Sequence, residues 1–284
     1  MFAVMMTRAA GAVGSLAGRA PAKVLARGCV AAAALMGAGA ASANPEQSWN
    51  GYHWARTGPL TLGLGNNLST VWHPFLSKAA YQWSADPVID LKVVAGKTDS
   101  ATCKPSYGGI QVCNANYGAN NWLGYASVWL SGGHVVQGTV QLNEYYFSQT
   151  KYNTSSWRAQ VMCQEIGHTL GLAHTNEVRT DLNTGSCMDY TNDPSGLKGT
   201  NGTLKNTRPN SVDFAALAGI YNHLDSSQLS MTKPTYFIGS SFSVDGEHLH
   251  EHRSLVPEPA TWAMLIIGFG AIGGVVRRRR AAFA

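Results

Sequence analysis

The feature that most constrains the fold is a short run, Gln164 to His174, in which a helix is followed by a sharp turn. Gln164 and His168 are four residues apart, so in a helix they lie on one face. Glu165 lies beside the first of these positions, within reach of a water molecule held near that face. Gly171 can adopt positive φ, which ends a helix and lets the chain double back. His174 can then approach His168, and the run predicts a polar site at the end of a helix.

Apolar patterning places this helix in a mixture of strands and helices. Spacings of three and four predict helices, and alternation predicts strands. We predict strands at 60–65, 89–94, 125–130 and 135–142, helices at 72–84, 155–170 and 211–224, a loop or hairpin at 103–121 and a loop at 175–210. Strands and one helix come first, followed by helix, long loop and helix, an order that indicates an α+β domain. We expect this domain over 44–225 and a polar linker over 226–255.

A second motif after the helix carries a family resemblance. Met188 and Tyr190 belong to the run Ser-Cys-Met-Asp-Tyr, which looks like a tight turn beneath a metal, a Met-turn. With the preceding helix this resembles the metzincin metallopeptidases, whose motif is H-E-x-x-H-x-x-G-x-x-H. The resemblance covers about 44–225 and implies a twisted mixed sheet with an active-site helix, a Met-turn and a C-terminal helix. It also implies Zn²⁺ on His168 and His174, Glu165 as general base, and Tyr190 as a residue that contacts the metal or the tetrahedral intermediate.

The chain departs from the family pattern at Gln164, which stands where the first histidine is expected. An amide oxygen is a poorer Zn²⁺ donor than an imidazole nitrogen. Three interpretations stay open. Gln164 ligates through its oxygen and leaves a weaker working site, another group such as a residue of 175–193 completes the site, or the site is degraded and the protein does not catalyse.

Two functions from different classes follow. The first is an exported zinc endopeptidase that acts on peptide or protein substrates, and the resemblance implies that the strand Gly138 to Leu142 pairs with the extended substrate. The alternative is an envelope or matrix protein with an impaired site that binds peptide or glycan without cleaving it. A third possibility is that the metal is purely structural. The other histidines of the body, His53, His73, His134 and His223, are expected to be ordinary surface or hydrogen-bonded residues.

The cysteines indicate an oxidising compartment. Cys103, Cys113, Cys163 and Cys187 remain after a predicted signal peptide is removed, and an even number suggests two disulfides. Three connectivities are possible. The nearest-neighbour one joins Cys103 to Cys113 and Cys163 to Cys187, and its second bond would tie the motif helix to the Met-turn.

Both ends of the chain look like sorting signals. Residues 1–43 combine a basic, acid-free stretch, an apolar run and a small-residue cleavage site, as in a secretory signal peptide. At the other end, 256–284 contains Pro257-Glu258-Pro259, an apolar segment from Ala260 to Val276 and four arginines, which resembles the PEP-CTERM sorting signal of Gram-negative bacteria. The apolar segment is just long enough to span a bilayer, and the arginines favour the cytoplasmic side. The resemblance implies anchoring in the inner membrane, processing by an exosortase-type enzyme, and a final place at the cell surface or outside it.

The net charge of +5 does not indicate a nucleic-acid partner. Eight of the 21 basic residues lie in the two terminal signals, and the body between 44 and 256 has 13 basic and 15 acidic residues. A slightly acidic body lacks the basic surface that binding to phosphates requires.

Overall fold

The computed structural model describes residues 47–226, 233–244 and 250–255. The predicted signal peptide and the apolar segment of the tail lie outside these residues. Within the three described ranges, no helix has both the length and the apolar character needed to cross a bilayer.

The described residues form a mixed sheet with helices packed against it. The strands are β1 His53–Trp54, β2 Leu60–Asn67, β3 Ile89–Ala95, β4 Gly109–Ala115, β5 Trp122–Ser131, β6 His134–Asn143, β7 Tyr236–Ser243 and β8 His250–Ser254. The helices are α1 His73–Trp83, α2 Glu144–Phe147, α3 Ser155–Thr169 and α4 Ser211–Tyr221. The predicted α+β class is confirmed, and the predicted helices are present to within two or three residues at their ends.

The sheet order is β3-β2-β4-β6-β5-β7-β8, with the short β1 pairing with the start of β6. The pairs β3-β2, β2-β4 and β4-β6 are parallel, whereas β6-β5, β5-β7 and β7-β8 are antiparallel. One part of the sheet is therefore parallel, and the helix α1 connects its strands β2 and β3. The other part is an antiparallel extension.

The motif helix α3 lies in the centre of the hydrophobic core. Thr154 caps its first turn by accepting a hydrogen bond from the backbone N–H of Trp157. Two tryptophans from other elements donate to its backbone: Trp83 of α1 to the carbonyl of Cys163, and Trp54 of β1 to the carbonyl of Thr169. These bonds fix both ends of the segment that carries the motif.

Both disulfides of the nearest-neighbour connectivity are present, which confirms the prediction. Cys103–Cys113 ties the loop before β4 to that strand, and Cys163–Cys187 joins α3 to the Met-turn loop.

Two segments differ from the prediction in the strands that they contain. The expected loop or hairpin at 103–121 includes β4, which pairs with β2 and β6 and not within a hairpin, and whose residues from Ile110 to Asn114 are buried. A strand covered on both faces shows no alternation, so the pattern gave no signal. The expected linker over 226–255 includes β7 and β8, and the prediction of a linker is wrong for these stretches. Small and polar residues of β7 are buried because the strand pairs on both edges, which satisfies its backbone groups.

Candidate metal centre

The end of α3 turns back as predicted, and Gly171 makes the turn possible. Its φ is +99°, and a Cβ at this position would collide with the backbone carbonyl of Tyr52. Only glycine therefore fits both the conformation and the space. The turn brings His174 back against His168, with ring centroids 4.5 Å apart and nearly perpendicular.

The two histidines present the same nitrogen to each other. Nδ1 of His168 lies 2.8 Å from the carbonyl oxygen of Leu172, and Nδ1 of His174 lies 3.0 Å from Oε1 of Glu177. Oxygen partners of this kind accept a hydrogen bond from the protonated Nδ1, which leaves a lone pair on Nε2 of each neutral ring. The two Nε2 atoms are 2.9 Å apart. Two lone pairs at this distance repel each other unless a proton or a metal ion lies between them.

Gln164 and Glu165 are fully buried at the same end of α3. Neither the amide oxygen nor the amide nitrogen of Gln164 has a hydrogen-bond partner among the described residues. An unsatisfied buried amide is costly, so a donor at this position, one turn before His168, fits a metal ligand. Gln164, His168 and His174 are therefore candidates for one metal site.

Burial raises the pKa of the Glu165 carboxyl well above its usual range, while backbone N–H groups of Phe242 and Ala126 offset part of the effect. Neither carboxylate oxygen makes a full hydrogen bond within the described residues. Gly124 of β5 lies against this side chain, and a Cβ there would collide with it. The glycine thus lets the strand approach a carboxyl group that is suited to accept and release a proton.

Met188 packs directly beneath the helix. A Cβ on Gly167 of α3 would overlap its sulfur atom, so the glycine is what lets the Met-turn approach. Ser186 donates to Asp213 of α4 at 2.6 Å, and the Met188 N–H donates to the Ser186 hydroxyl at 2.9 Å. The Met-turn is therefore fixed to α3 by packing and by the Cys163–Cys187 disulfide, and to α4 by the hydrogen bond to Asp213.

Tyr190 is buried between the histidine pair and β7. Its ring lies 4.5 Å from that of His174 and stacks on Phe242 at 4.7 Å. Its hydroxyl donates to the backbone carbonyl of Ser241 at 2.6 Å. Burial, and secondarily the charge of Glu165, raise the pKa of Tyr190 well above its usual value, so the hydroxyl stays protonated.

The prediction that Gly138 to Leu142 receives an extended peptide is wrong. This stretch belongs to β6, which pairs with β4 on one edge and with β5 on the other. It has no free edge, because a strand in the middle of a sheet has already used its backbone groups. The edge beside the candidate site is that of β5, and β7 occupies it, pairing antiparallel from Trp122 to Leu130.

The structure thus brings together the predicted residues Gln164, Glu165, His168, His174 and Tyr190 and places Met188 under them. Sequence reasoning missed β7, although the run Tyr-Phe-Ile at its start is typical of strands. It also missed that three of the histidines expected to be ordinary, His53, His134 and His223, converge on Asp225 elsewhere in the molecule.

Comparisons with known proteins identify a sorting motif in the tail and several solved structures that are similar to the described fold. The family model of the PEP-CTERM protein-sorting motif matches residues 255–280. A comparison with curated proteins finds no match. Two solved structures of myroilysin are similar to the chain. The first has a TM-score of 0.35 and 14% identity and covers 60% of this chain and 82% of the myroilysin chain. The second has a TM-score of 0.33 and 15% identity and covers 60% of this chain and 86% of that one.

High choriolytic enzyme 1, a hatching-enzyme zinc protease from the medaka fish Oryzias latipes, matches with a TM-score of 0.33 and 12% identity, over 60% of this chain and 94% of that one. The solved structures similar to this chain therefore include a zinc protease. The C-terminal end of this chain carries the predicted PEP-CTERM protein-sorting motif.

Proposed function

We propose that the protein is an exported zinc-dependent endopeptidase whose metal is held by His168, His174 and the amide oxygen of Gln164. The observation that carries the proposal is the 2.9 Å approach of two Nε2 atoms whose rings each have an oxygen partner at Nδ1. A pair oriented in this way is typical of metal-ligating histidines, since the outer oxygen fixes the tautomer and the ring orientation.

Zn²⁺ in such a site would act as a Lewis acid and lower the pKa of a bound water. Glu165 is the residue of this chain that takes the proton of that water and passes it to the departing amine. The raised pKa of Glu165 supports the second half of this role, in which the protonated carboxyl group gives its proton to the amine. Tyr190 keeps its proton and would donate a hydrogen bond to the developing oxyanion.

Access to this site requires β7 to leave the edge of β5. Gln164, Glu165, His168 and Tyr190 have no solvent exposure, and Ser241 and Phe242 of β7 cover Tyr190. An extended substrate could then use the edge of β5 by β-augmentation. We therefore propose that the described arrangement is a closed form, in which the chain's own strand takes the place of a substrate.

The alternative function is a protein that holds metal, peptide or glycan without turnover. The complete burial of Glu165 and the weak amide donor at Gln164 favour it. The two functions differ in what Glu165 does, since a binding protein has no use for a general base.

Zinc content and turnover together test the proposal. We expect purified 44–255, equilibrated with micromolar zinc, to release peptides from an unfolded protein substrate, and Glu165→Ala to lose this activity while keeping its zinc. His168→Ala should lose both the activity and the zinc ion of the α3 site. Retention of full turnover in Glu165→Ala would contradict the proposed mechanism, and zinc binding without turnover in the parent protein would favour the binding protein.

The proposed route to the outside uses both ends of the chain. We propose that the signal peptide directs export, that the tail holds the protein at the inner membrane, and that an exosortase-type enzyme recognises the motif at 255–280. Two disulfides in the body agree with this route, because such bonds persist in an oxidising compartment.

A further inference from the structure

We propose a second metal site, formed by His53, His134, His223 and Asp225 and suited to Zn²⁺. These residues come from three parts of the fold: β1, the start of β6, and the segment directly after α4. The three Nε2 atoms lie 3.5, 3.0 and 3.6 Å from the same carboxylate oxygen, Oδ1 of Asp225. None of the four belongs to the site on α3.

The distances fit a metal better than they fit hydrogen bonds alone. Tetrahedral Zn²⁺ with ligands at about 2.0–2.2 Å places its ligand atoms about 3.3 Å from one another, close to the three distances measured to Oδ1 of Asp225. One ligand atom each from His53, His134 and Asp225 lies within 4.8 Å of the other two, and His223 is the fourth residue at this carboxylate. A carboxylate oxygen has two lone pairs, so it cannot accept good hydrogen bonds from three imidazoles at once. A cation bound between the carboxylate and the imidazoles would take up lone pairs that hydrogen bonds to one oxygen cannot use.

Neighbouring backbone groups orient two of the ligands. Nδ1 of His53 lies 2.8 Å from the carbonyl oxygen of Gly51, which directs Nε2 towards Asp225. This ring is more than nine-tenths buried, and its Nε2 has no hydrogen-bond partner within the described residues. Asp225 accepts a hydrogen bond from the Arg56 N–H through Oδ2, which leaves Oδ1 facing the histidines. Metal-ligating side chains are commonly held by outer partners of this kind.

Charge and access agree with a cation. The cluster places one carboxylate, Asp225, among three imidazoles, which is a donor set that suits Zn²⁺. The guanidinium of Arg56 is directed to backbone carbonyls of Tyr221 and Gly58 instead of to this carboxylate. The side chain of His223 is 49% exposed, which gives an ion a path from solvent.

The position of the site suggests a structural role. Four protein ligands close the coordination sphere of Zn²⁺, as in structural sites. The metal would join β1 to the end of α4, and Tyr221 of α4 already donates to the carbonyl of Leu170 at the end of the motif helix. Trp54, next to His53, donates to Thr169 on the same turn. The second site would thus brace the turn that brings His174 to His168.

Zinc counting in the full-length chain, purified in detergent, tests this inference. We expect about two zinc ions per chain in the parent and about one in His168→Ala/His174→Ala, in which only the second site remains. In that background His223→Ala or Asp225→Asn should weaken zinc binding at least about 100-fold, because removal of even an outer partner costs 10–100-fold. His73→Ala, which changes an exposed histidine outside the cluster, should change nothing.

Thermal unfolding gives a second readout that does not depend on activity. Zinc should raise the melting temperature of His168→Ala/His174→Ala, and His223→Ala in that background should abolish the rise. Because His223 is half exposed, its replacement should leave the fold intact, which circular dichroism would verify. The inference is overturned if the His168→Ala/His174→Ala chain binds no zinc, or if its zinc survives both cluster substitutions. A failure of the α3 site would instead appear as an unchanged zinc count on removal of His168 and His174.

Discussion

At the scale of single residues, the chemistry of the α3 site depends on Gln164. In the proposed site the histidine pair needs a further donor to enclose a metal. The buried Gln164 amide, which has no hydrogen-bond partner among the described residues, lies one helical turn away. A neutral amide oxygen binds Zn²⁺ less tightly than imidazole does, so this site should exchange its metal more readily than one with three histidines.

Substitution of Gln164 measures its share in metal binding. We expect Gln164→His to raise the zinc affinity of the α3 site at least about tenfold, and Gln164→Leu, which keeps the bulk but removes the donor, to lower it by a similar factor. Chelator competition in a Asp225→Asn background would isolate this site. Equal affinities in all three proteins would show that Gln164 is not a ligand.

The buried carboxyl group of Asp213 should make the free energy of unfolding depend on pH. Burial raises its pKa to about 6, although the Ser186 hydroxyl and the Asn210 N–H partly oppose the effect. The native state therefore holds this proton more tightly than the unfolded chain, whose aspartate titrates near 4. The contribution of Asp213 to the free energy of unfolding is therefore largest below pH 4. It falls as the pH rises through about 6, by up to about 3 kcal/mol in total.

Urea unfolding of the parent and of Asp213→Asn at several pH values would test this. The free energy of unfolding of the parent, minus that of the variant, should decrease between pH 4 and pH 7. A difference that is constant or rises over this range would mean that the hydrogen bonds outweigh burial and that the pKa is not raised.

At the scale of elements, β7 decides whether the α3 site can be reached. Its backbone pairs with β5 on one edge and β8 on the other, and its residues from Phe237 to Ser243 are buried. Antiparallel pairing on an otherwise free edge is also how an extended peptide binds to a sheet. Loss of β7 would therefore uncover both a binding edge and the buried site at once.

Ser240→Pro should open the site. Ser240 lies opposite Ala126 of β5 and His250 of β8, and proline removes a backbone donor that a strand paired on both edges needs. A loss of about 1.4 kcal/mol raises the open population about tenfold, so hydrolysis of an unfolded protein substrate should increase by at least that factor. Ser240→Ala, which keeps the backbone N–H, is the matched control.

Two results would contradict this prediction: Ser240→Pro no faster than Ser240→Ala, or activity that persists when Glu165→Ala is added. Faster amide hydrogen exchange in β5 of the proline variant would verify that the strand pair has loosened.

At the scale of the whole molecule, local sequence patterns predict some parts of the fold and not others. The helix α3, its end at Gly171 and the return to His174 follow from spacing and from one glycine, and the structure contains them as predicted. The position of β4 between β2 and β6, and of β7 beside β5, depends on partners distant in sequence. The convergence of His53 and His134 on Asp225 likewise joins residues up to 172 positions apart, which no local pattern contains.

The contiguity of β8 and the sorting motif has a mechanical consequence. β8 ends at Ser254 and the motif begins at residue 255, so any tension carried by the tail reaches β8 before the other described strands. Ser254 pairs with Tyr236, the first residue of β7, and tension applied there separates the two strands one hydrogen bond at a time instead of shearing them together. In a protein held by its tail, load therefore falls first on β8 and its pairing with β7, the strand that covers the α3 site. Cutting the tail would remove that load.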